Sequence, residues 1–210
     1  MALRTPQFVT PKILDLCREL SPAKQPAFLG IKPEPGCEPN DCFGCVQHKV
    51  EAEGGRMQFG WAIWEWPHVC IEAEHHAVYE PPHGPPWADI TPPEVPDVFR
   101  RLFLPDDTAI YDFKNEGIRR GNERRALVDD ALVLEYFRLA EEINAILNTI
   151  PGVGVVSLKG DSAKRYQHNI HQKTLVEMQL LMKYTPQGAP CFCGGGQKFK
   201  RCHGQVRIAK

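Results

Sequence analysis

Residues 57–65 alternate in character. Met57, Phe59, Trp61 and Ile63 fall on one side, and Gln58, Gly60, Ala62 and Trp64 on the other. Period two is the signature of a strand with one face in a core. Trp66-Pro67-His68 reads as a turn, and Val69 to Tyr79 as a second, longer strand, so the pair predicts an antiparallel hairpin. Before it, Asn40 or Asp41 can cap a helix reaching about Glu53, where Gly54-Gly55 would end it; Gly44 is its weak interior point. After it the period changes to that of a helix. Leu132, Tyr136, Leu139, Ala140, Ile143 and Leu147 share one helical face, with Asp129 and Asp130 available as caps. Tyr166, Ile170, Thr174, Met178, Leu181 and Met182 predict a further helix ending near Tyr184.

The remaining segments are less periodic. Residues 1–36 carry prolines at 6, 11, 22, 26, 33 and 35 and one short helical pattern at Ile13, Leu14, Leu16, Cys17 and Leu20. They read as an arm lying over the body. Residues 80–95 are proline-rich loop, interrupted by Trp87-Ala88-Asp89-Ile90 as a candidate short strand; Phe99 to Leu104 reads as a strand or a short helix. Gly152-Val153-Gly154 through Ser162 resembles a phosphate loop only superficially. The G-K-[ST] order is missing, so it reads as a turn, a short apolar strand and a helix cap. Together these predict an α+β fold with a small antiparallel sheet and flanking helices. The expected division is an arm (1–36), a body (37–184) and a C-terminal tail (185–210).

Composition adds limits. The 210 residues are 42% hydrophobic and 24% charged, enough to build a core, and a net charge of −1 gives no whole-chain case for nucleic acid. No acidic residue follows Glu177, whereas Lys183, Lys198, Lys200, Arg201, Arg207 and Lys210 do. That local basic patch suits an acidic protein surface or another anionic partner, or simply aids solubility. The first twenty residues lack a signal-peptide run, and no stretch reaches membrane-spanning length, so the expected setting is cytoplasmic. The eight cysteines are then expected as thiols or metal ligands rather than disulfides.

The tail is where cysteines concentrate. Cys191-Phe192-Cys193 followed by Cys202-His203 places three thiolates and an imidazole at short spacing, a set that suits a closed tetrahedral Zn²⁺ site. Gly194, Gly195 and Gly196 permit the sharp reversal between the two halves. So short a segment cannot bury enough apolar surface, and metal binding would supply its folding energy. With Lys198, Phe199, Lys200 and Gly204, these residues closely resemble the SEC-C motif, the zinc-binding tail of the bacterial SecA translocation ATPase that recurs on many bacterial proteins. Phe192 stands where that motif usually has Pro, and Gly195 where it often has Ser; neither is a ligand. The resemblance implies a zinc module that docks a partner.

Three residues of the body suggest chemistry. Cys42 would lie in the first turn of a helix, where the macrodipole favours the thiolate. His76 lies on the second hairpin strand, on the face it shares with Glu72 and Glu74, with His75 pointing the other way. Asp89 follows the next loop. A thiolate nucleophile needs a base, and that imidazole needs a carboxylate to orient it. Cys42, then His76-Ala77-Val78-Tyr79, then Asp89-Ile90-Thr91-Pro92 resembles the transglutaminase-like branch of the papain-like fold. The resemblance covers roughly residues 40–92. It implies Cys42 as nucleophile, His76 as base and Asp89 as orienting acid, in a thiol hydrolase or transamidase. It departs from that family in its short inter-motif loops and in the setting of the aromatic beside the nucleophile.

Other readings compete for the same residues. Cys37, Cys42, Cys45 and His48 have the spacing of a second zinc site, and the three cysteines match a plant-type iron–sulfur run; packed thiols are the plainer alternative. His168 and His171 could share a metal but lack a third ligand. Trp61, Trp64, Trp66 and Trp87 could line a cleft, with Trp61 better suited to the core. Arg119, Arg120, Arg124 and Arg125 could bind phosphate, or form a solvated run paired with Glu123, Asp129 and Asp130. The expected function is therefore a zinc-binding protein whose tail docks a partner and whose body is a Cys-His-Asp acyl-transfer enzyme; the alternative is a non-catalytic adaptor with a zinc-stapled tail.

Overall fold

The computed structural model describes residues 3–94, 98–111, 113, 120–150 and 157–205. Among these, the chain forms helices α1 (Pro11–Leu20), α2 (Cys42–Glu53), α3 (Ala131–Leu147) and α4 (Gly160–Tyr184). The strands are β1 (Ala27–Gly30), β2 (Arg56–Trp66), β3 (Cys70–Glu80), β4 (Arg100–Pro105) and β5 (Glu123–Ala126). The strands make one antiparallel sheet in the order β1-β4-β2-β3-β5, so the fold is α+β.

The alternating hairpin is the centre of that sheet. β2 and β3 pair along their whole length, with Trp61 opposite His75 and Gly60 opposite His76. On one face Trp61, Ile63, Ile71, Ala73, Leu102 and Leu104 are buried against Ile13, Leu16 and Cys17 of α1. Each such aliphatic side chain contributes about 1.5–3 kcal/mol when fully buried. Residues 11–20 therefore belong to the main core, and β1 extends the sheet by pairing with β4. Trp66, Val69 and Cys70 at the turn end of the hairpin pack on Val133, Tyr136 and Leu139 of α3 and Val176 and Leu180 of α4. Cys45 and Val46 of α2 pack with Ala77, Tyr79 and Ile90.

Several details differ from the sequence reading. Trp87 to Ile90 forms no strand: Ala88 bridges Tyr79, and Asp89 bridges Ile31. α4 begins at Gly160, ahead of its first apolar repeat, because its opening turns are polar and leave no period to read. The Arg-rich run is only partly solvated: Arg120 is exposed, whereas Arg124 and Arg125 are drawn into pairs. Part of it is β5, and Arg124 reaches Glu72 on β3, Nε–Oε2 2.9 Å, with both side chains largely buried. Arg125 pairs with Glu19, and Arg120 lies over the Trp61 ring at 4.9 Å. Arg119 and the Gly152-Val153-Gly154 turn lie outside the described residues. No helix of the described residues is long and apolar enough to cross a membrane.

Candidate functional site

Cys42 is the first residue of α2 and only 6% exposed. Asp41 precedes it, with its carboxylate lying over Gly44, where an added Cβ would collide with Oδ2. Gly44, a weak point for the helix, is what lets this first turn close. β3 pairs with β5 only as far as Ala73, and beyond that point α2 packs along β3. Consecutive side chains of α2 then reach opposite faces of β3. Phe43 packs on the His75 ring at 4.9 Å, and Cys42 lies on the His76 side, where the two residues line one cleft.

His76 is 2% exposed, and its Nε2 lies 3.3 Å from Asp89 Oδ2. Burial alone would pull the imidazole pKa down. The charges of Cys42 and Asp89, and hydrogen bonds to both, outweigh it and raise the value to about 10. Asp89 is fully buried, and burial pushes its carboxyl up. The charge and hydrogen bond of His76 and then the charge of Arg101 hold it below the ordinary carboxylate range. Its Oδ2 also accepts from Arg101 Nε at 2.5 Å, and its Oδ1 accepts the Thr91 backbone N–H at 3.1 Å. The Arg101 guanidinium lies over the Trp64 ring at 5.2 Å, and Trp64 Nε1 donates to Glu74 Oε2 at 2.6 Å.

Gly60 makes this packing possible. It faces His76 across the hairpin, and a Cβ there would collide with the Leu104 carbonyl oxygen and come within 2.6 Å of Phe103 Cζ. The Phe103 ring occupies the space and packs edge-on to His76, at 6.3 Å between centroids. Cys42, His76, Trp64, Glu74, Thr91 and Arg101 are among the residues lining a cleft of about 220 Å³.

The neighbouring candidates separate clearly. His75 turns to the other face, where its Nε2 lies 2.6 Å from the Ala109 carbonyl oxygen; burial lowers its pKa. Cys37, Cys42, Cys45 and His48 do not converge as four ligands. Cys42 faces His76, while Cys45 is raised to about 12, first by burial and then by its hydrogen bond with Cys37. His168 and His171 are exposed on α4. Trp61 is wholly buried and donates to Asp106 Oδ2 at 2.9 Å, so it is a core residue.

At the other end of the chain, Cys191, Cys193, Cys202 and His203 bring their ligand atoms within 4.8 Å of one another, and among the described residues no other such group forms. Cys191 Sγ and Cys202 Sγ each lie 3.3 Å from His203 Nδ1, and Cys193 Sγ lies 3.6 Å from Cys202 Sγ. Zinc–sulfur and zinc–nitrogen bonds in tetrahedral geometry require ligand atoms about 3.5–3.8 Å apart, so the donor set fits a metal such as zinc. The reversal uses φ = +72° at both Gly194 and Gly196, which a side chain would strain. Phe199 is buried, with Phe192 beside it and against the His203 ring at 4.9 Å. The thiols compete for charge. Burial opposes a Cys191 thiolate, but N–H groups of Cys193 and His203 bring it to about 6. Cys202 is pushed to about 11, chiefly by hydrogen bonds with Cys193 and Cys191. A cation among them would relieve that conflict.

Arg101 and Thr91 are the residues the sequence reading missed. The signal for Arg101 was a charge inside an otherwise apolar strand, on the Phe103 side rather than the Leu102 and Leu104 side. No protein-family model, curated protein or solved structure matches the chain.

Proposed function

We propose that this chain is a zinc-binding protein whose SEC-C-like tail docks an anionic partner and whose body is a thiol acyl-transfer enzyme of transglutaminase-like type. The observation that carries the enzymatic reading is one buried imidazole, His76, with Asp89 on its Nε2 and Cys42 lining the same cleft. With Nε2 committed to Asp89, Nδ1 is left for the thiol. Cys42 as thiolate would attack the carbonyl carbon of an amide or thioester. His76 would deliver its proton to the departing amine or thiol as that bond breaks, leaving the acyl group on sulfur. Water, giving a proton to His76, would then hydrolyse the thioester; an amine in its place would give transamidation.

Alkylation tests the reading. Iodoacetamide near neutral pH is expected to modify Cys42 ahead of Cys17 and Cys70, whose thiols burial pushes up to about 12. His76→Ala should slow the Cys42 reaction. A Cys42 no faster than free cysteine ends the enzymatic reading. One observation favours the non-catalytic alternative: Asp89 lies closer to Arg101, 2.5 Å, than to His76, 3.3 Å, as in a purely structural ion pair. An inert Cys42 would select it.

For the tail, the supporting observation is the exposure of Lys198, Lys200 and Arg201 around the Cys/His cluster. Lys183 does not add to that patch, since it pairs with Asp130 at 2.7 Å, and Arg207 and Lys210 lie outside the described residues. Binding to polyglutamate should weaken steeply with salt and vanish when residues 186–210 are deleted. Binding that survives the deletion removes the docking role. A cytoplasmic setting would keep the thiols reduced, and residues 185–210 would act as a module apart from the body.

A further inference from the structure

The charges around the Cys42 cleft do not balance. Besides the Cys42–His76 pair, five charged groups line or close it: Glu72, Glu74, Glu94, Arg101 and, behind His76, Asp89. Glu72 is neutralised by Arg124, with Nε–Oε2 2.9 Å and Nη2–Oε1 3.2 Å, and it also accepts from Asn122. Arg101 is spent on Asp89. Glu74 accepts only the Trp64 indole N–H at 2.6 Å, and Glu94 only the Asn40 amide at 2.5 Å; among the described residues neither has a cation within ion-pair distance. Two carboxylates thus remain on the walls of a cleft whose one lining guanidinium is already paired.

A second observation points to a ligand at the same place. Thr91 lines the cleft, is 2% exposed, and its hydroxyl has no hydrogen-bond partner, although its backbone N–H is bound to Asp89. A buried hydroxyl without a partner is destabilising relative to one that is hydrogen-bonded. A bound polar group is the natural partner for that hydroxyl.

We infer that the cleft selects a substrate carrying a positive charge, an alkylammonium or guanidinium group, close to its reacting acyl carbon, with Glu74 and Glu94 receiving that charge. The inference rests on Cys42 being the nucleophile of this cleft. The chemistry is shared by lysine or arginine side chains of a peptide and by small amine-bearing acyl compounds. A cleft lined by one sign of charge raises the local concentration of the opposite ion, by about 10- to 1000-fold in favourable cases.

Charged thiol reagents test the inference without needing the natural substrate. Methanethiosulfonates carrying 2-ammonioethyl, 2-sulfonatoethyl or the neutral isostere propyl each form a mixed disulfide as thiolate sulfur displaces sulfinate. Rates at Cys42 are read by mass spectrometry on the full chain and normalised to free cysteine. The cationic reagent should exceed the anionic one by at least about tenfold. That ratio should fall with added salt in the unmodified protein. It should approach one in the double variant Glu74→Gln/Glu94→Gln, whose amide oxygen at position 74 can still accept from Trp64. Equal normalised rates for all three reagents, with Cys42 still reactive, overturn the charge selection and leave the nucleophile standing. No reaction at Cys42 with any reagent overturns the nucleophile itself. Short chloroacetyl peptides with lysine, norleucine or glutamate beside the reactive group separate the sources. A lysine preference larger than the small-reagent ratio assigns a peptide, and one no larger assigns a small amine-bearing compound.

Discussion

The two cysteine sites of this protein are held in opposite ways. Around His76 the side chains come from a helix start, a central strand, a loop and a second strand, and packing fixes them: Gly60 admits Phe103, Phe103 backs His76, and Arg101 anchors Asp89. In the tail all four ligands lie between Cys191 and His203, with little more than Phe199 buried beneath them. The first site borrows the stability of the whole sheet; the second has almost none to borrow and would depend on a bound metal. Arrangement by a core and arrangement by a metal should therefore fail under different treatments.

Metal removal should have the largest effect and should be confined to the tail. Purified protein is expected to carry about one zinc per chain, the stoichiometry of a closed four-ligand site. Structural zinc sites in small peptides contribute about 10–16 kcal/mol. Cys202→Ser or chelation should thus release the metal and abolish hydrogen-exchange protection over residues 190–205. The melting of the body should be unchanged. Full zinc retention in Cys202→Ser breaks the tail half of the contrast, and a body that melts along with the tail breaks the separation.

Arg101→Ala is next. It removes one of the two cationic partners of the buried Asp89 carboxylate, and losing a partner of a buried pair costs about 3–5 kcal/mol. Urea denaturation should show this loss with zinc content unaltered. A loss below about 1 kcal/mol, the level of an exposed ion pair, would mean that the core does not fix the site. Gly60→Ala should follow at about 1–3 kcal/mol, the usual range for overpacking, and should also alter Cys42 alkylation through the displaced Phe103 ring.

The last effect is a pH slope. The folded His76 pKa, about 10, lies above the ordinary value of 6.5. Its contribution to stability is fully present below about pH 6.5 and is lost as pH rises toward 10. The body should therefore become less stable across that window, and His76→Gln should flatten the slope. An unchanged slope would show that the imidazole does not carry a proton inside the core.

The same contrast explains what could be read from the sequence. The tail was legible because its ligands are neighbours, so spacing alone carried the geometry. The hairpin was legible because Met57, Phe59, Trp61 and Ile63 repeat with the period of their environment, and Asp130 indeed caps α3 through Leu132 N–H at 3.0 Å. β1 and β5, four residues each, were too short to show a period, and the pairing of β5 rests on Arg124 meeting Glu72 across the sheet. Arg101 was hard to assign for a related reason: a charge within a mostly apolar strand is visible locally, but its partner is twelve residues away and on another element. Sequence order pointed to Cys42, His76 and Asp89 as a group, but what surrounds them is a property of the sheet register.

The segment after β1 has a consequence for how the protein is made. Lys32 N–H bonds the Asp89 carbonyl at 2.7 Å and Glu34 N–H bonds that of Ile90 at 3.0 Å, so the chain leading into Cys42 is laid against the loop that bears Asp89. β1 itself is held only by β4, which carries Arg101. During synthesis the Cys42 helix leaves the ribosome well before either of these elements exists. Its thiol then has no imidazole or carboxylate neighbour, because His76 and Asp89 are made later and Arg101, which anchors Asp89, later still. Translation order thus puts Cys42 on the chain before any of the groups that surround it.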